Sequence, residues 1–210
     1  MILLSILVAV LPLVPNAAGL QAPEGSGWVA LFNGKGLTGW KNNGAEKWVV
    51  EDGTILCEST AGKYGYLTTE KTYRDFNLRL LFKGEAKGNS GVFVRSRILG
   101  IDPEHGPDIE GMQVEVDPSV GHHTGGLYES GGRGWVIQPT AEGERALKPG
   151  EWNVLEVSVH GNHYVTRLNG TQIVNYTDAT PKFTNGCVAL QIHTGGGVRM
   201  RWKDIYIQEK

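Results

Sequence analysis

The turns of this chain constrain its fold more than any other feature. Asn33-Gly34, Asp52-Gly53, Gly161-Asn162 and Asn169-Gly170 separate short β-like runs, and such pairs are strong hairpin signals. Glycine supplies 30 of the 210 residues, about twice the usual share. The intervening runs, among them "KWVVEDG", "GTILCES", "NLRLLFKG", "SGVFVRSRIL", "NVLEVSVHG", "HYVTRLNG", "TQIVNYTD" and "GCVALQIH", show no helical periodicity. One helical turn or two is expected around Thr69 to Asp75. Strands at this spacing predict an all-β fold, a sandwich or jelly roll, in one domain without internal repeats. Leu99 to Gly150 is the exception: it holds most of the prolines, and only "GMQVEVD" looks regular. Long irregular segments in compact domains are usually functional loops, so this one is read as a cleft wall.

Composition excludes some partners. Apolar residues are 40% and charged residues 20%, a globular balance. A net charge of −2 without like-charge runs gives no footprint for nucleic acid. The N-terminal "MILLSILVAVLPLVPNAAGLQ" is apolar from residue 2 to residue 14 apart from Ser5, with small residues after it. That run is too short to span a bilayer and fits a secretory leader. Residues 1–22 are therefore expected to be a signal peptide with a short extension, residues 23–210 the folded domain, and the protein periplasmic or secreted. No cysteine follows the run to anchor a lipid. Cys57 and Cys187 are compatible with either a disulfide or two buried thiols.

Strand alternation sorts the polar candidates. In "GMQVEVD", Met112, Val114 and Val116 face one way, and Gln113, Glu115 and Asp117 the other. In "SGVFVRSR", Phe93, Arg95 and Arg97 oppose Val92 and Val94. In "CVALQIH", Ala189, Gln191 and His193 oppose Val188, Leu190 and Ile192. A solvated sheet face would explain polar rows. Rows of Arg, Gln, Glu, Asp and His are better suited to hydrogen bonding, proton transfer or metal binding, and they converge if the strands are neighbours. Retaining β-glucanases carry an E-x-D-x-E strand, whereas Q-V-E-V-D lacks the first acid, and their chemistry needs two closely placed carboxyls.

Several motifs in fixed order are identifiable. "GWVALFNGKGLTGW", "KWVVEDGTI", "GNSGVFVRS", "GLYE", "GEWNVLEVSVHGNHYVTRLNG" and "CVALQIHTGG" together resemble the 3-keto-disaccharide hydrolase domain family, from about Trp28 to Ile207. The resemblance implies a concanavalin A-like jelly roll of two antiparallel sheets. It also implies cleavage of glycosides already oxidised to a ketone at C3. Such a ketone acidifies the C2 proton; a base removes it, the C1 substituent leaves, and water adds. The family's G-x-E-x-Q-x-x-D is here Gly111, Gln113, Glu115, Asp117, with Glu and Gln exchanged. Its closing F-R-N-I is here Trp202 to Ile205.

From these readings, Glu115, His193, Gln113 and Asp117 are the expected catalytic residues. Arg95, Tyr128 and Gln191 are the expected sugar-binding residues. Glu115, Asp117 and His193 also form a candidate ligand set for a divalent metal polarising the ketone. Asn89 and Ser90 are read as turn residues, Trp40, Trp48 and Trp152 as core, and His122 and His123 as rim residues. The reading of a different class is a non-catalytic, lectin-like carbohydrate-binding module, since one scaffold hosts many functions.

Overall fold

A computed structural model describes residues 22–210; the apolar N-terminal run read as a leader lies outside them. Two antiparallel sheets pack face to face. The first, sheet A, runs β13 (Thr171–Thr177), β12 (His163–Leu168), β11 (Asn153–His160), β6 (Phe76–Gly84), β15 (Arg199–Glu209), β4 (Thr54–Glu58) and β3 (Lys47–Glu51), with β1 (Val29–Ala30) also pairing to β15. The second, sheet B, runs β10 (Gly134–Ile137), β9 (Leu127–Ser130), β8 (Gly106–Val116), β7 (Ser90–Asp102), β14 (Cys187–Ile192), β5 (Gly65–Thr69) and β2 (Trp40–Asn43). The result is the expected all-β jelly-roll sandwich.

Alternation along each strand builds the core between the sheets. Phe76, Leu78, Leu80 and Phe82 of β6 point inward against Val92, Val94, Val114 and Leu190 of sheet B, all buried. Trp40 and Trp48 are buried as expected, whereas Trp152 is half-buried, with Lys203 over its ring. The outer face of sheet A is wet and charged: Arg199 and Arg201 of β15 pair with Glu58, Glu85 and Glu51. Cys57 of β4 and Cys187 of β14 are free thiols on different sheets. Burial pushes the Cys57 thiol up to about 12, which makes it inert at neutral pH.

Two expectations about local structure change. Thr69 to Asp75 is not helical; the short helix α1 lies at Ala141–Glu144, capped by Thr140. The segment from Leu99 to Gly150 is also more regular than its prolines suggest. β7 continues to Asp102 and β8 begins at Gly106, so the two form a long hairpin arm.

The arm bends because its register shifts between Val94 and Arg97. Arg95 there takes φ +50°, and Gly111 opposite takes φ +140°. A Cβ on Gly111 would lie 2.7 Å from the Ser96 Cα, so only glycine fits. Bulges of this kind bend a strand and re-aim a side chain. Beyond the bend, Ile109 and Ile98 pack with Phe93, Ala189 and Tyr66 on the outer face of sheet B. The tip is fastened to the segment before β5: Tyr64 N–H donates to the His105 carbonyl at 2.7 Å, and Lys63 Nζ to that of Pro103 at 2.5 Å. The outer face of sheet B is thereby covered at one end and left open beside it.

Candidate active site

Cross-strand pairing places the functional side chains. Residues paired across a sheet share a face, and Trp135, Tyr128, Gln113, Phe93, Ala189 and Thr68 form one such ladder across β10, β9, β8, β7, β14 and β5. Two residues further along the strands, Glu115 pairs with Gly91, and Gln191 with Tyr66. These rows floor a cavity of about 540 Å³, within the size range of small-molecule sites. Gln113, Glu115, Tyr128, Gln191 and His193 all line it.

Glu115 is the chemical centre. A polar residue on a solvated sheet face would be exposed, yet Glu115 is 4% exposed and Gln113 5%. Gln113 Nε2 donates to Glu115 Oε2 at 2.6 Å, and Asn89 Nδ2 donates to Oε1. Burial pushes the Glu115 carboxyl up to about 8, and the charge of Asp117 adds to the rise, against the opposing pull of the two amide donors. Desolvation therefore outweighs hydrogen bonding. The side chain is largely a neutral acid at pH 7, half ionised near pH 8 and a carboxylate only above that.

The "NSG" stretch is built around this carboxyl. Asn89 is a donor to Glu115 rather than only a turn residue. Ser90 Oγ donates to the Gln191 carbonyl at 2.5 Å, tying β7 to β14. At Gly91 a Cβ would lie 2.8 Å from Gln113 Nε2; the missing side chain leaves the space through which Gln113 reaches Glu115.

His193, just past β14, lies with its Nε2 3.3 Å from the Tyr64 hydroxyl and its Nδ1 3.0 Å from the Thr194 carbonyl. A carbonyl can only accept, so Nδ1 carries hydrogen, and in the neutral ring Nε2 is left as the acceptor. Burial raises the Tyr64 phenol above its ordinary range and raises that of Tyr66 further, so both remain O–H donors. Tyr64 is held in place by Glu46, whose buried carboxylate accepts the backbone N–H of Lys63 at 2.7 Å and of Ala61 at 3.1 Å.

Two expected site residues stand elsewhere. Asp117 lies past the end of β8 and not in the cavity lining. Its Oδ1 accepts the Ser119 N–H at 2.8 Å, and its Oδ2 lies 3.4 Å from His122 Nδ1. Its influence on Glu115 is electrostatic. Arg95 does not line the cavity at all. The bulge turns it inward, 1% exposed, where Nε donates to the Arg74 carbonyl at 2.7 Å, Nη1 to the Gly161 carbonyl at 2.6 Å and Nη2 to Asp75 at 2.9 Å. The expected metal set does not assemble either. Both Glu115 oxygens accept amide N–H groups, and among the described residues no cluster of three His, Cys, Asp or Glu side chains is placed to hold an ion. The donor set does not fit a resident divalent metal.

Asn89, Tyr64, Tyr66 and Trp135 also line the cavity, beyond the expected set. The tyrosines had a signal in "YGY", which opens the strand that pairs with the "CVALQIH" strand.

The fold and site thus define a jelly roll whose sheet face carries a polar cleft built around a buried acid. The sequence profile of the 3-keto-alpha-glucoside-1,2-lyase-like domain matches residues 27–208, and the chain belongs to that family. A relative from Bacteroides thetaiotaomicron, a 3-keto-disaccharide hydrolase, is 25% identical, with 79% of this chain and 64% of the relative covered; this chain thus spans under two thirds of that protein. Among solved structures, a glycosyl hydrolase candidate from Parabacteroides distasonis superposes with a TM-score of 0.65 at 21% identity, covering 88% of this chain and 94% of its own. A carbohydrate-binding module from Bacillus subtilis gives 0.59 at 13% identity, covering 81% and 96%. At these identities the structures share the fold with this chain. Among the described residues no helix is long and apolar enough to cross a membrane.

Proposed function

We propose that this protein is an exported hydrolase of 3-keto-glycosides working by elimination and hydration. The observation that carries the reading is the buried Glu115 carboxyl, poised near neutrality, in the same cavity as His193 Nε2, the ring nitrogen left as an acceptor. Two proton-transfer groups in one cleft are what the reaction needs. His193 Nε2 takes the C2 proton, which the C3 ketone has acidified. The enolate electrons form the C1–C2 double bond as the C1–O bond breaks, and Glu115 protonates the departing oxygen. Water then adds its oxygen to C1, Glu115 takes back a proton, and His193 returns one to C2, giving the free 3-keto sugar. The Tyr66 hydroxyl is a donor available to the ketone oxygen, whose negative charge grows in the enolate, and the Tyr64 hydroxyl joins it once His193 Nε2 has taken the C2 proton and no longer accepts from it. The leader-like N-terminal run supports export.

The test is incubation of purified protein with 3-keto-disaccharides of several linkages, with and without EDTA, and assay of free sugar. Release that survives EDTA is expected from the donor set. No release from any 3-keto-glycoside would overturn the reading and leave the non-catalytic carbohydrate-binding module.

A further inference from the structure

We infer that Trp135 is the platform for the leaving group, so the cleft has a polar end for the keto sugar and an aromatic end for whatever is expelled. This rests on the reading of the cleft as a 3-keto-glycoside site. The strand order sets the polarity. Glu115 is on β8; Gln191, His193 and Tyr66 lie on the β7–β14–β5 side, and Trp135 lies two strands away on the other side, on edge strand β10. The polar end carries a buried orphan: among the described residues Gln191 Oε1 has no partner, although Gln191 is 3% exposed. An acceptor buried without a partner is costly and is satisfied by a ligand hydroxyl. The other end offers no comparable orphan. It offers an indole 39% exposed.

That indole is rigidly mounted. The His123 ring stands at 82° to it with centroids 5.0 Å apart, and the Tyr128 ring at 83° and 5.4 Å. His123 is itself fixed by Glu144, which accepts its backbone N–H and its Nδ1–H at 2.9 Å each. The β9–β10 turn is pinned by Arg133, which donates to both oxygens of the fully buried Asp178 at 2.9 and 2.6 Å and to Glu129 at 2.9 Å. A pre-set aromatic face binds rings with C–H faces or π faces at little ordering cost. The chemical class it takes is therefore a ring: a second pyranose, or a phenyl-type aglycone. A methyl group is too small to cover it.

The test uses methyl and phenyl 3-keto-glucosides, both anomers, and a 3-keto-disaccharide, with wild type, Trp135→Ala and Trp135→Leu. Wild-type turnover of the methyl glycoside tests the underlying reading by itself. With that in hand, kcat/KM for the phenyl glycoside and the disaccharide falls at least tenfold in Trp135→Ala, while the methyl glycoside changes less than threefold. Trp135→Leu keeps apolar bulk and recovers part of the loss, which separates stacking from misfolding. Binding of the phenyl and methyl glycosides, followed by calorimetry, covers the case of no turnover: preference for phenyl over methyl must vanish in Trp135→Ala. An equal loss for all aglycones, or an unchanged phenyl preference, overturns the assignment.

Discussion

Gln113 Nε2 donates to Glu115 Oε2 across 2.6 Å, from two positions earlier on the same strand. Such a contact requires both side chains on one face of β8 and room between them, and Gly91 on the neighbouring strand supplies the room. A carboxyl held this way is fixed in place yet still desolvated enough to keep its proton.

The first prediction concerns pH and stability. Glu115 titrates near 4.5 in the unfolded chain and about 8 in the folded one. Below about 4.5 it is neutral in both states and costs nothing. As pH rises through that interval the unfolded state ionises first, so stability falls until about pH 8 and then levels. Glu115→Gln cannot ionise. Its stability relative to wild type should rise between pH 5 and pH 9 by on the order of a few kcal/mol, measured by urea unfolding. A pH-independent difference would contradict the buried acid.

The amide donors tune that acid. Wild-type activity should fall above about pH 8 as the proton-donating form is lost. Asn89→Leu and Gln113→Leu each remove a donor that favours the carboxylate, so the alkaline limb of the kcat profile should move up by about one unit. Glu115→Gln should lose most activity on a disaccharide and much less on a p-nitrophenyl glycoside, whose leaving oxygen needs no proton. A limb that stays put in both donor variants would remove Glu115 from the acid role.

Gly91→Ala should lower kcat at least tenfold while costing only about 1 to 3 kcal/mol of stability, the usual range for overpacking. The added methyl meets Gln113, not the core. Gly91→Ala combined with Gln113→Ala should be less defective in folding than Gly91→Ala alone, by a thermal melt.

Arg95 separates structure from function. It bonds two carbonyls and Asp75 between the sheets and reaches Tyr164 of β12, 5.8 Å from its ring. Arg95→Met should cost about 1 to 3 kcal/mol, since it removes three hydrogen bonds made by a buried guanidinium to partners that water can still reach, and the folded fraction should keep a wild-type KM. A sugar-binding arginine would show the opposite: intact stability and a raised KM.

Period-two alternation made most of the floor legible, because Gln113, Glu115 and Gln191 stand in regular strands and His193 is one residue past the end of β14. It failed at Arg95, where a residue at φ +50° interrupts the alternation; no composition signal marks a non-glycine bulge, although Gly111 across the pair is a trace of it. Asn89 reads as a turn residue locally, and only the folded chain shows its amide turned to Glu115. Tyr64 owes its place to Glu46, a contact between distant loop segments that no local pattern encodes. Trp135 sits on a four-residue edge strand, too short to reveal a face. The wall from Leu99 onward was legible as a wall, but its construction from a bent hairpin was not, since the bend depends on the paired bulge.

The most direct measurement is the fate of the C2 hydrogen. A 3-keto-disaccharide cleaved in D2O, with the products read at once by NMR and corrected for exchange without enzyme, should yield 3-keto sugar carrying deuterium at C2 in each turnover. His193→Ala should abolish both the label and the cleavage. Because His193 could hand the same proton back, the contradicting result is a double one: full cleavage with protium retained at C2 in D2O, and equal kcat/KM for substrates carrying protium and deuterium at C2, which together would show that the C1–O bond breaks without C2 deprotonation.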